Sequence, residues 1–193
     1  MSDKVGIAIV GLGRIARTHI SGIHLNPGTT RLVAVVDVDE PLAKSTAATY
    51  KTRFYTSVEA ALTDPEIQAM VICLPHHLHK PVSLQVMETG RHVLTEKPMS
   101  TNLEDAQAMV EKAEQKEVVL MTGQCFRFIS ASLEAKLRMK KEIGEPFNLV
   151  YVEGCDFDKN KAPHWWRDTK KTGGMAFTML GSHTVDLTLW IYE

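Results

Sequence analysis

An α/β fold with a doubly wound parallel sheet is what this sequence predicts, and three observations predict it. Short apolar runs rich in β-branched residues recur through the first two thirds of the chain. Segments with apolar positions at helical spacing separate them, and glycine, proline and asparagine breaks punctuate the joins. Strands alternating with helices of this length imply βαβ units.

The elements follow in order. Residues 5–10 read as a strand buried on both faces, and residues 15–25 as a helix with Ile15, Ala16, His19, Ile20 and Ile23 at helical spacing. Asn26-Pro27-Gly28 breaks the chain. A second buried strand, 32–36, ends on Asp37, and Pro41 sits where a helix running to about Tyr50 can start. Phe54-Tyr55 is a brief third strand, after which Thr56 and Glu59 form a candidate capping box. The fourth strand is 70–74, and a helix over 81–90 closes on Gly90. The fifth strand is 92–95. A second capping box, Thr101 with Glu104, opens a helix with Leu103, Ala106, Val110 and Ala113 on one face. Residues 118–121 make a sixth strand.

The alternation stops near Gly123. A helix carrying Ile129, Leu133 and Leu137 ends at Gly144, a longer strand spans 147–154, residues 157–174 read as a loop, and 182–191 form a last helix. The expected division is a cofactor-binding domain over 1–123 and the start of an α+β substrate domain over 124–193.

Composition narrows the class. With 22 basic and 23 acidic side chains, nothing in the 193 residues points to a nucleic acid or a membrane surface. No apolar run approaches the roughly 18 residues a membrane span needs, and the N-terminus lacks the regions of a signal peptide. Cys73, Cys125 and Cys155 are widely spaced, with no CxxC or Cys/His metal pattern. A cytoplasmic protein without a metal is expected.

Four motifs carry chemistry. Gly11-Leu12-Gly13-Arg14-Ile15-Ala16 follows a strand and opens a helix, the context a dinucleotide fingerprint requires. Gly11 permits the tight turn, Gly13 lets a pyrophosphate approach the helix N-terminus, and Ala16 lets the helix pack closely. A turn in an α/β fold that binds no nucleotide is the other reading. Asp37, 21 residues beyond Ala16, stands where an acid accepts hydrogen bonds from the adenosine ribose. The next residue is Val38 rather than a cation for a 2′-phosphate, which favours NAD over NADP. Asp37 can also be a solvated turn residue.

Pro75-His76-His77-Leu78-His79 follows the fourth strand at the carboxyl edge of the sheet. Its histidines invite a metal reading, but no carboxylate stands at ligand spacing. A loop lying against a cofactor, with His79 capping the next helix, is the reading preferred. Glu96-Lys97-Pro98 follows the fifth strand and puts a lysine at the same edge. That lysine can donate to a substrate oxygen and stabilise developing negative charge, or it can be a surface lysine paired with Glu96.

In this order, with Arg127-Phe128, Trp166-Arg167, Gly173-Gly174 and His183 with Asp186, these residues resemble the glucose–fructose oxidoreductase and inositol dehydrogenase family (Gfo/Idh/MocA) over essentially the whole chain. The resemblance implies an NAD(P)-dependent oxidoreductase acting on a sugar, an inositol or a related polyol. It implies a catalytic Lys97 and a His183 that binds or deprotonates the reacting hydroxyl. It also implies a cofactor site drawing on Gly11, Gly13, Arg14, Ile15, Asp37, Pro75, His76, His79, Glu96, Lys97, Gln124, Arg127, Trp166 and Arg167.

Two departures stand out. The family usually has an aspartate four residues before its histidine, where this chain has Met179, and Met175 follows two glycines where a third is common. Family members also run well over a hundred residues longer, so a fragment of a longer protein is expected, with homo-oligomers formed by the full-length protein. The alternative is a nucleotide-binding sensor or an inactive fragment that has lost catalysis.

Overall fold

The computed structural model describes residues 4–145, 148–152, 162–174, 178 and 181–193. Its strands are β1 (Val5–Val10), β2 (Thr30–Val36), β3 (Arg53–Tyr55), β4 (Ala69–Ile72), β5 (His92–Thr95) and β6 (Leu120–Thr122). All pair in parallel, in the order β3-β2-β1-β4-β5-β6. The central runs are apolar throughout because both faces are covered. On one face, α1 (Ala16–Leu25) and α2 (Glu40–Tyr50) pack Ala16, Ile20, Ile23, Ala43 and Ala47 against Ile9, Val35 and Val71. On the other, α3 (Val58–Ala61), α4 (His79–Glu88) and α5 (Leu103–Gln115) pack Ala61, Val86, Met87, Met109 and Ala113 against Val10, Met70, Ile72 and Val93. The expected doubly wound sheet is thus present. Its order reverses between β1 and β4, which opens a crevice at their carboxyl ends.

Several local expectations shift. The α3 and α5 caps are Ser57 and Asn102, not Thr56 and Thr101: Ser57 Oγ accepts from the Ala60 amide at 3.1 Å and Asn102 Oδ1 from that of Asp105 at 2.8 Å. Both caps are the extended residue immediately before the helix, the only place from which a short side chain reaches the third helical amide. The buried face of α5 runs through Met109 and Ala113, while Leu103 and Val110 are exposed. The helix start expected at Ile15 falls one residue later, at Ala16.

Beyond β6 the elements are helical. α6 (Ser130–Arg138) continues as one π-helical turn, Met139–Ile143, and stops at Gly144, whose φ is +87°. Residues 148–152 of the strand expected over 147–154 form no ladder, and Leu149, Val150, Tyr151 and Val152 are exposed. A strand is held by a neighbouring strand, and residues 148–152 join none of the six in the sheet. Residues 147, 153 and 154 lie outside the described residues. The expected loop over 157–174 contains a 3₁₀ turn, His164–Arg167, and the short α7 (Thr169–Thr172), with 157–161 outside the described residues. The last helix is α8 (Ser182–Tyr192).

Candidate functional site

The glycine turn lies in the crevice. Gly11 has φ +86°, its amide donates to the Val36 carbonyl at 2.8 Å, and a Cβ there would stand 2.7 Å from the Cys73 carbonyl oxygen. At Gly13 a Cβ would meet nothing within 4 Å, so this side of the turn is open. The ten-residue α1 begins after Ile15 with no side-chain cap and no acid in its first turn, while Arg14 and Arg17 flank its start. A helix start with no side-chain cap, the positive end of the helix dipole and an open approach fit a pyrophosphate.

Asp37 sits at the end of β2 beside this turn. Its Oδ2 accepts from the Leu12 amide at 2.7 Å and its Oδ1 from the Asp39 amide at 3.0 Å. The carboxylate therefore shapes the glycine turn, a role the sequence does not announce. Each oxygen keeps a further lone pair for a ribose hydroxyl.

The loop after β4 is a 3₁₀ turn, His76–Leu78, opened by Pro75. His76 Nδ1 donates to the Thr172 carbonyl at 3.1 Å, and the Trp165 ring meets its ring edge-on at 4.8 Å. The segment carrying Trp166 and Arg167 is thereby drawn to the sheet edge, but the contact runs through Trp165 and Thr172. Arg167 is exposed, and Trp166 sits edge-on to Trp165 at 6.1 Å.

His79 corrects an expectation. It is the first residue of α4 rather than its cap, and it is fully buried, with Nδ1 2.7 Å from the Pro98 carbonyl and Nε2 2.8 Å from that of Leu74. It stitches the loop after β4 to the loop after β5. With His79 so engaged and His76 turned to Thr172, the two rings do not converge on a common point. Among the described residues no group of three His, Cys, Asp or Glu side chains is placed to hold a metal ion.

Burial pushes His76 from its usual 6.5 to about 4, against the opposing Thr172 bond, with the neighbouring His79, Lys97 and His77 charges adding to the fall. Between pH 6.5 and 4 the unfolded chain binds a proton that the folded chain excludes. Stability is therefore fully present above pH 6.5 and lost as the pH falls through this window, by roughly 3 kcal/mol. Urea unfolding from pH 7 to 4 should show wild type losing that much more than His76→Gln. Parallel curves would refute the assignment.

Glu96 and Lys97 follow β5, both partly buried. Glu96 Oε1 accepts from His19 Nε2 of α1 at 2.7 Å, and Oε2 accepts from the Lys97 amide at 3.2 Å. Burial pulls this carboxyl upward, but the His19 bond and charge, with the Lys97 amide and ammonium, outweigh it and hold Glu96 below its usual range. The carboxylate thus takes one internal hydrogen bond on each oxygen. It also helps burial push the Cys73 thiol up.

After β6, Gln124 precedes a 3₁₀ turn, Cys125–Phe128, and its Oε1 is buried with no hydrogen-bond partner among the described residues. Arg127 grips both oxygens of Asp186 on α8, at 2.7 and 2.5 Å, and Phe126 stacks on the His183 ring at 4.2 Å with 7° between planes. Arg127 is therefore a clamp between this turn and α8. His183 is buried against Phe126, while Met179 lies outside the described residues.

His19, Trp165, Thr172 and Phe126 were not expected. Only His19 had a signal, a titratable ring among the apolar positions of α1.

Comparison with known proteins is consistent with this geometry. The family model described as "Oxidoreductase family, NAD-binding Rossmann fold" matches residues 5–124. The chain is 30% identical to glucose-6-phosphate 3-dehydrogenase of Bacillus subtilis over 97% of its own length and 53% of the relative's. It is 28% identical to scyllo-inositol 2-dehydrogenase (NAD(+)) of the same organism, over 99% and 55%. The crystal structure of GenD2 from gentamicin A biosynthesis, in complex with NAD, superposes with a TM-score of 0.83 at 28% identity, covering 99% of this chain and 54% of that one. The chain spans about half the length of the curated relatives it matches. Among the described residues no helix is long and apolar enough to cross a membrane.

Proposed function

The chain belongs to the Gfo/Idh/MocA oxidoreductase family, and from that premise we propose that its protein oxidises a ring hydroxyl of a sugar, inositol or related polyol with NAD. The observation that carries the reading is the convergence at one sheet edge of the open glycine turn, Asp37, the Pro75–His76 loop and a partly buried Lys97. Residues 1–123 would hold the cofactor, and 124–193 would begin the part that faces the substrate.

Bound NAD supplies the acceptor for the hydride. The Gly11–Ala16 turn and the start of α1 hold its pyrophosphate, and the remaining lone pairs of Asp37 take the adenosine ribose hydroxyls. Lys97 donates to the substrate oxygen and stabilises the negative charge that grows there as the hydride leaves. His183 takes the hydroxyl proton, its ring oriented by Phe126.

Asp37 also sets the cofactor preference, because its carboxylate repels a 2′-phosphate. Fluorescence titration should show NADH binding tighter than NADPH, and Asp37→Ser should narrow the ratio by about tenfold. Tighter NADPH binding by the wild type would overturn the choice of NAD. A screen of sugars and polyols with NAD tests the reaction; tight NADH binding without turnover, in a preparation extended to the relatives' length, would favour a non-catalytic sensor instead.

A further inference from the structure

We infer that His19 is a positioning residue for Lys97, acting through Glu96. The inference rests on the proposed function for the role of Lys97. Its geometry stands on its own.

Glu96 has little freedom. Its amide donates to the Ile72 carbonyl at 3.0 Å, which fixes its backbone to the end of β4. Its carboxylate faces Gly123, where a Cβ would lie 3.3 Å from Oε1. The remaining rotation is removed by His19, whose Nε2 lies 2.7 Å from Oε1, with side chains only 22% and 15% exposed. A hydrogen bond to an ionised, partly desolvated carboxylate is among the stronger ones a protein makes. With Oε1 held, Oε2 is aimed at the Lys97 amide. The chain His19–Glu96–Lys97 therefore sets where the lysine's backbone sits.

The other end of this chain explains what it is for. His19 is the fourth residue of α1, the helix whose N-terminal turn fits the pyrophosphate. A helix moves as a rigid body over one turn, so a small shift of its start on cofactor docking is passed to Glu96 and from there to Lys97. The alternative is a pair that merely stitches α1 to β5, with no effect on the lysine.

The test is an NMR comparison on the full chain of wild type, His19→Phe and His19→Gln. Phenylalanine keeps a ring without a donor; glutamine restores an N–H that reaches the carboxylate. Expected for His19→Phe are a displaced Lys97 amide resonance and about tenfold faster exchange of that amide, both recovered in His19→Gln. Addition of NADH should move the Lys97 amide in wild type and His19→Gln, and not in His19→Phe. An unmoved Lys97 amide in a folded His19→Phe, or identical behaviour of the two variants, overturns the inference; His19→Leu replaces the phenylalanine variant should that one not fold. Failure of wild type to bind NADH counts against the proposed function alone, since the resonance comparison without cofactor still decides the positioning.

Discussion

Lys97→Ala is expected to lower kcat/KM for polyol oxidation by about a hundredfold to ten-thousandfold while NADH titrates as in wild type. The residue stands at the carboxyl edge after β5, partly buried, in the loop whose next carbonyl, that of Pro98, is held by His79. Its ammonium is close enough to His76 to help push that ring's pKa down. The charge therefore acts inside the crevice, where interactions are stronger than in water. Lys97→Arg keeps the charge on a larger, planar head that cannot occupy the same point, so it should fall well below wild type. The measurement is steady-state kinetics in a preparation that turns over, with NADH affinity read separately by fluorescence. Unchanged kcat/KM in the alanine variant would remove Lys97 from the chemistry.

The sheet was legible because its evidence is local. Val33 to Val36 are all buried, and an apolar run of that kind can be only a strand covered on both faces or a buried helix; its length decides. The glycine turn was legible for the same reason, since Gly11, Gly13 and Ala16 each answer a backbone need within six residues. Caps were harder. Thr56 and Thr101 satisfy the capping pattern as well as Ser57 and Asn102 do, and only the backbone conformation separates them.

What joins distant segments was not legible. The His19–Glu96 bond spans 77 residues and the His76–Thr172 bond 96. His79 shows the limit well. Its place in the loop after β4 points to a helix cap or a cofactor contact, yet both ring nitrogens face carbonyl oxygens of two different loops. Asp37 is an intermediate case: its place at the end of β2 was legible, and its bond to the Leu12 amide was not. Beyond β6, Leu133, Leu137 and Val150 have the spacing of buried positions and are exposed. Periodicity records which face is apolar, not whether a neighbour covers it.

Gly11→Ala and Gly13→Ala should separate the fold from the cofactor, with the first showing the larger effect. At Gly11 a side chain faces two penalties. Its φ of +86° is one that L residues rarely adopt, which costs about 1–3 kcal/mol. Its methyl would also lie 2.7 Å from the Cys73 carbonyl oxygen, a backbone clash that no rotamer relieves, and 2.9 Å from the Leu74 side chain. The turn must move, and the Leu12 amide moves with it, away from Asp37. Lower stability by urea unfolding and loss of NADH binding are both expected. Gly13 has neither penalty: no positive φ, and open space where a Cβ would project. Gly13→Ala should therefore unfold like wild type. If the pyrophosphate occupies that space, the same methyl displaces it, and NADH affinity falls by about tenfold or more. A Gly13→Ala chain as stable as wild type that also binds NADH equally well would place the phosphates elsewhere than on this turn.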